Sequence, residues 1–354
     1  MVSILITLLV GSLGGIIAKR VKVPAPFMIG SMAAVAIASI ITGQMQAASP
    51  MKVIAQIVSG AYIGQTVSQK DLANFPKLAK SIVSLMTLFT LNMLVIGLLF
   101  HQFFGLDLVT AFLSCLPGGI MDVSLMAVDM GAKTDIVATL QSARLIGILI
   151  ILPLWVRFWV KRITPQQVGQ QLRQQVTRPT TNRPLSCSKQ AWNNILILSV
   201  ATVGGFLGLW SGMPVGALIV SLLFSAILKI SRNTPQLSKE IRFTAQIFAG
   251  SLIGTSFTRA SLLDMFHLIV PIMLLLASYL LINVFFGYIM YKQEVLDLQS
   301  SLFASSPAGA TDISLLAGDL GGDMAKITGI QISRTLYTVI IMPLLVKWLV
   351  HSFL

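Results

Sequence analysis

Apolar residues run along this chain in long blocks instead of alternating with polar ones. Ten blocks cover about 2–18, 26–43, 51–67, 78–101, 136–160, 192–209, 214–230, 241–257, 265–290 and 327–350. A helix needs about 20 apolar residues to cross a bilayer. Two further blocks, 107–131 and 297–321, are interrupted by Pro117-Gly118-Gly119 and Pro307-Ala308-Gly309. The pattern predicts an all-α polytopic membrane protein. The first block, MVSILITLLVGSLGGII, lacks a basic leader and an A-x-A-like cleavage site. It has a counterpart at 195–207, so it is expected to remain as a transmembrane helix.

The blocks repeat. A shift of 190 residues superimposes the halves without a gap, bringing Gly14 onto Gly204, Pro24 onto Pro214, Gln56 onto Gln246, Gly60 onto Gly250, Gly64 onto Gly254, Asp107 onto Asp297 and Pro153 onto Pro343. Over 117–145 against 307–335, Pro117, Gly119, Asp122, Ser124, Leu125, Ala127, Asp129, Gly131, Gln141 and Arg144 are all identical in the second copy. Shared hydrophobicity explains matched leucines but not matched Pro, Asp, Gln and Arg. The chain therefore divides into a first membrane repeat at 1–160, a linker at 161–190 and a second repeat at 191–354. The linker holds six Lys or Arg and no acid, and is expected to be a flexible cytoplasmic segment.

Composition agrees with a bilayer. The chain is 55% hydrophobic and 10% charged, against about 25% charged in soluble domains. Its net charge of +13 lies between the apolar blocks, which suits cytoplasmic loops beside anionic lipid and removes any need for a nucleic-acid partner. The turn KRVK at 19–22 is assigned inside, 44–50 outside, 68–80 with Lys70, Lys77 and Lys80 inside, and 101–106 outside. Only if 107–131 dips in and returns does the basic linker also fall inside. In the second half 210–213 is then outside, 229–242 inside and 258–264 outside. The predicted fold is two inverted repeats, each of five transmembrane helices plus one re-entrant or broken-helix segment. Charge favours the hairpin; a broken helix that crosses fully would use Pro-Gly in the same way.

Non-helical backbone at membrane depth survives only inside protein or beside a water-filled cavity, and paired breaks in two halves point to a binding site. Candidate solute- or ion-binding residues are Pro117, Gly118, Gly119, Asp122, Ser124, Gln141 and Arg144, with Pro307, Gly309, Asp312, Ser314, Gln331 and Arg334. An acid at membrane depth can bind Na⁺ or exchange a proton, and it can also cap the helix that follows. Arg144 and Arg334 are expected either to pair with the hairpin acids or to grip a solute carboxylate or phosphate. Asp129 and Asp319 suit an anchor or a functional role. The Gly60, Gly64, Gly250 and Gly254 spacing suits close helix packing, and Gln56 and Gln246 either bond across helices or line a cavity. Cys115 and Cys187 give no disulfide framework, and His101, His267 and His351 no metal cluster. No cofactor and no catalytic residue is expected.

The duplicated pattern P-G-G-x-x-D-x-x-x-x-A, then Gly, then Gln and Arg on the next helix, resembles the AbrB-type membrane protein family over about 1–160 and 191–354. Ala308 departs from it where the first copy has Gly118. Members carry labels of ammonia monooxygenase and of transition-state regulator. The sequence holds neither a copper-ligand cluster nor a DNA-binding domain. The inverted repeat with paired breaks is also similar to secondary transporters, a likeness of fold. The expectation is a multi-pass inner-membrane transporter of a small solute, driven by H⁺ or Na⁺. The alternative is a membrane sensor that regulates gene expression through a partner. An enzyme ranks last. Expected partners are membrane lipid, the solute and its ion, with no direct nucleic acid; self-association is compatible with the sequence.

Overall fold

The computed structural model describes residues 2–23, 25–67, 69–163, 187–213, 215–258, 267–308, 313 and 324–353. Among them every regular element is a helix. The first half contains α1 (Val2–Arg20), α2 (Pro26–Thr42), α3 (Ser49–Gly64), α4 (Gln69–Phe104), α5 (Leu108–Ser114), α6 (Ile120–Asp129) and α7 (Thr134–Ile163). The second contains α8 (Cys187–Trp210), α9 (Gly216–Arg232), α10 (Lys239–Gly254), α11 (Ile269–Lys292), α12 (Leu298–Ala304), α13 (Met324–Ile340) and α14 (Met342–Phe353).

Among the described residues five helices are long and apolar enough to cross a membrane: α1, α4, α7, α8 and α11. A sixth span is available if α13 and α14, bent by 42°, count as one. The bend falls just before Pro343, which has no N–H to offer the helix and whose ring crowds the preceding turn; Pro153 at the same place in α7 leaves that helix continuous. The expectation of five full-length spans per half is thus met only in part. Helices α2, α3, α9 and α10 have 16 or 17 residues, about 24–26 Å of rise, against an apolar bilayer core of about 30 Å. The basic segment expected as a loop at 68–80 is also largely helical, because α4 starts at Gln69.

The short helices pack across the halves. Helix α3 lies against α9, and α2 against α10. Helix α1 touches α2 and α10, while α8 touches α9 and α3. These contacts between the halves recur with the halves exchanged. Small residues allow this approach: a Cβ on Gly60 would stand 2.5 Å from the Leu218 carbonyl oxygen, and one on Gly250 2.7 Å from that of Met28, the residue equivalent to Leu218. Helices α4 and α11 meet each other, and α4 also packs on α13 while α11 packs on α7. The interrupted segments are cradled by these longer helices: α5 by α4 and α7, and α12 by α11 and α13.

Candidate functional site: two proline breaks at one cavity

The first interrupted segment is a hairpin. Asp107 caps α5, its carboxylate accepting the Thr110 N–H at 2.9 Å. The chain breaks after Cys115, runs through Leu116-Pro117-Gly118 and restarts as α6 with Gly119 at its N-cap. It then returns to its origin, since the Lys133 N–H donates to the Thr110 hydroxyl at 2.8 Å. A segment that crossed fully would hold these two residues a membrane apart. Ten residues separate Thr134 from Arg144, about 15 Å along α7. That is about half the thickness of an apolar bilayer core of about 30 Å.

The break leaves carbonyls without helical partners, and burial makes each costly. Two side chains of α7 take them. The Gln141 amide nitrogen lies 3.0, 3.2 and 3.1 Å from the oxygens of Leu113, Ser114 and Leu116. Arg144 donates from Nη1 to Leu116 O at 2.5 Å and from Nη2 to Gly118 O at 2.6 Å. The second half repeats this at the same offset of 190. Gln331 reaches Phe303, Ala304 and Ser306 at 3.1, 3.1 and 3.0 Å, and Arg334 reaches Ser306 and Ala308 at 2.6 and 2.7 Å. Asp297 caps α12 through the Ser300 N–H at 2.8 Å, as Asp107 caps α5.

Both breaks reach one cavity of about 440 Å³, where Gly118, Gly119, Asp122 and Arg144 face Ala308 and Arg334. It extends to Ala25, Thr66, Gln236 and Arg242. These flank the KRVK turn, the start of α4 and the basic 229–242 segment. Asp122 is 8% exposed and lies in the first turn of α6, where a carboxylate is favoured by the helix dipole. Its Oδ1 accepts a short hydrogen bond from the Ser59 hydroxyl on α3. Its Oδ2 occupies the space a Gly119 side chain would fill, 2.6 Å from an ideal Cβ, which is why glycine precedes this acid.

The family described as "Transition state regulatory protein AbrB" matches residues 1–160 and again 164–350. The chain belongs to the AbrB family. It is 23% identical over 330 residues to "Putative regulator AbrB" of Escherichia coli (strain K12), covering 93% of this chain and 91% of that relative. It is 22% identical over 308 residues to "Uncharacterized protein YhjN" of Bacillus subtilis (strain 168), covering 84% and 78%.

In this AbrB-family chain the expected residues divide by task. Gly118, Gly119, Asp122, Arg144 and Arg334 line the cavity. Pro117 and Pro307 shape the breaks without lining it. Gln141 and Gln331 are fully buried, and their amide nitrogens are spent on carbonyls. Ser124 does not line it either: two residues past Asp122 is about 200° around a helix, and its hydroxyl is fully buried without a partner among the described residues. Gly309, Asp312, Ser314 and Asp319 lie outside the described residues.

The bonds seen at both arginines go to the breaks themselves. Neither pairs with Asp122; among the described residues the ion pair formed is Lys52–Asp129, at 2.6 Å. Each arginine gives one N–H of each Nη to a break carbonyl, and its Nε is buried without a partner among the described residues. Their charge still faces the cavity. Asp129 anchors the hairpin, accepting also from Gln56 Nε2 and the Val215 N–H, each at 2.9 Å. Cys115 is fully buried, away from the cavity, and its carbonyl accepts the Tyr279 hydroxyl at 2.6 Å. Ser59, Arg242 and Tyr279 were not legible as site residues, because each reaches the tips from a helix distant in sequence.

Proposed function

We propose that this AbrB-family membrane protein is an ion-coupled secondary transporter in the inner membrane, its solute bound between the two proline breaks. The observation that carries this reading is the meeting of two equivalent breaks at one cavity holding Asp122, Arg144 and Arg334. Secondary transporters place their sites at such paired breaks between inverted repeats. The reciprocal helix contacts support two copies related by a two-fold axis. Five crossings per half, with a hairpin between, would turn that axis into the membrane plane.

Several hydrogen bonds support the sidedness read from charge, because each joins segments assigned to one face. The Gln46 N–H reaches Thr7 on the outer side at 3.2 Å, and Asn194 reaches Ser238 on the inner side at 3.2 Å. The Asp129 cluster joins Lys52 and Val215, both next to outer loops. In this arrangement the cavity faces the cytoplasm and the Asp129 cluster closes the outer side. Asp122, with the Ser59 hydroxyl beside it, is the group that would take the coupling H⁺ or Na⁺. The reading assigns no catalytic step.

The test is uptake into proteoliposomes under an imposed proton or sodium gradient, screened with labelled metabolites. Wild-type protein should accumulate a solute and Asp122→Asn should not. Uptake in Asp122→Asn equal to wild type would remove the role given to Asp122, and wild-type uptake no greater than that of empty liposomes would remove transport. The family description and the name of the Escherichia coli relative favour a second reading, a membrane regulator acting through a partner. Deleting 165–186 should then abolish regulation while leaving the protein folded.

A further inference from the structure

The Asp129 carboxylate is held by three donors of different kinds. Lys52 Nζ lies 2.6 Å away, Gln56 Nε2 2.9 Å and the Val215 N–H 2.9 Å. Lys52 and Gln56 stand one turn apart on α3. Val215 precedes α9 in a left-handed conformation (φ 56°, ψ 23°), which turns its N–H outward. A cation, an amide and a backbone N–H at a helix start together form a carboxylate cradle.

The chain builds this cradle twice. The offset of 190 carries Lys52 to Arg242, Gln56 to Gln246 and Val215 to Ala25. Arg242 and Gln246 again stand one turn apart, on α10. Ala25 again precedes a helix with left-handed backbone (φ 46°, ψ 55°). All three line the cavity. Gln246 is 7% exposed and makes no hydrogen bond among the described residues; its Oε1 is fully enclosed. The Arg242 guanidinium lies over the Tyr62 ring, 4.3 Å from its centroid, and forms no ion pair among the described residues. The one change, Arg for Lys, replaces a point charge with a fork that matches a carboxylate.

We infer that Arg242, Gln246 and the Ala25 N–H bind a carboxylate of the solute, and that the substrate class is a small organic acid. The word solute rests on the transport reading; the carboxylate site rests on the cradle alone. Arg144 and Arg334 keep the deep end of the cavity positive, which favours an anion. Met28, Ile63, Leu145 and Ile332 give it apolar wall for a carbon body.

Binding to the purified full-length protein in detergent tests this, with succinate, butyrate and inorganic phosphate as probes at equal ionic strength. Succinate or butyrate should raise the melting temperature of wild type and bind saturably by calorimetry, and phosphate should do neither. Arg242→Gln should weaken the carboxylate at least tenfold; Arg242→Lys should retain most of the affinity, as Lys52 serves the outer cradle. Arg242 is only half-buried, so both variants are expected to stay monodisperse. The proposal is overturned if wild type binds neither carboxylate, if phosphate binds instead, or if Arg242→Gln and Gln246→Leu both bind as wild type does. A wild type that takes no carboxylate while Asp319→Asn melts as early as Asp129→Asn would give the inner cradle to Asp319 and overturn it too. Carboxylate binding without uptake would fell the transport reading and leave this site standing. Asp122-dependent uptake without carboxylate binding would do the reverse.

Discussion

Phe89 and Tyr279 meet edge to face with ring centroids 5.8 Å apart, and they occupy the same position in the two copies of the repeat. A residue touches its own counterpart only near the axis that exchanges the copies, as at the centre of an isologous dimer. The pair is not identical, and the difference has a use. Tyr279 carries the hydroxyl that bonds the Cys115 carbonyl in the first break, and its ring lies beside the Arg144 guanidinium, 5.7 Å from its centroid. Tyr279→Phe should therefore destabilise the protein by about 1–3 kcal/mol, the cost of leaving a buried carbonyl unpaired. Thermal unfolding in detergent checks this, with Phe285→Leu on the exposed face of the same helix as the unaffected control.

Arg144→Ala should strand the Gly118 carbonyl and leave that of Leu116 to Gln141 alone, and Arg334→Ala should do the same to the carbonyls of Ala308 and Ser306. The expected loss is about 1–3 kcal/mol for each stranded carbonyl. Lysine should not rescue either position, because one ammonium cannot reproduce the planar pair of donors. The recovery of monodisperse protein and its melting temperature measure both.

At the outer cradle, Asp129→Ala should cost more than Lys52→Ala. The first removes the acceptor of three donors, the second one donor of three. A double-mutant cycle between Lys52 and Asp129 should return about 1 kcal/mol of coupling, since both side chains remain partly exposed. Coupling near zero would mean that Gln56 and the Val215 N–H hold Asp129 without the lysine.

Sidedness can be read with single cysteines in a background lacking Cys115 and Cys187. Cysteines at Gly43 and Gly212 should react with an impermeant maleimide added outside intact cells. Those at Lys22 and Asn233 should react only after permeabilisation. Gly43 and Asn233 occupy the same place in the repeat and should label from opposite sides. Labelling of that pair from one side would exclude inversion.

Much of this was legible in the sequence because membrane helices write themselves as apolar blocks and a duplication preserves its costly residues. Pro117, Gln141 and Arg144 were recognisable by recurring at Pro307, Gln331 and Arg334. Their task was not. A sequence does not show that an arginine's hydrogen bonds end on the carbonyls of its own half, so a buried guanidinium looks like a partner for Asp122 or for a solute. The four short helices were read as ordinary spans, since hydropathy records apolar length and misses the close packing at Gly60 and Gly250. The inner cradle stayed hidden for another reason: Lys52 and Arg242 differ in type, and Val215 and Ala25 contribute only backbone.

Gln141 and Arg144 hold the break that precedes them by fewer than 30 residues of chain. Translation delivers the hairpin first and these fasteners immediately afterwards, so the carbonyls of Leu113, Ser114, Leu116 and Gly118 need wait for nothing in the second half, while that of Cys115 waits for Tyr279. The nascent chain can close that hairpin while α8 onward is still unmade. The same order holds for the second half, where Gln331 and Arg334 also follow their own break by fewer than 30 residues. Each repeat thus carries its own fastening instruction, and insertion of the two halves can proceed as two successive and similar events.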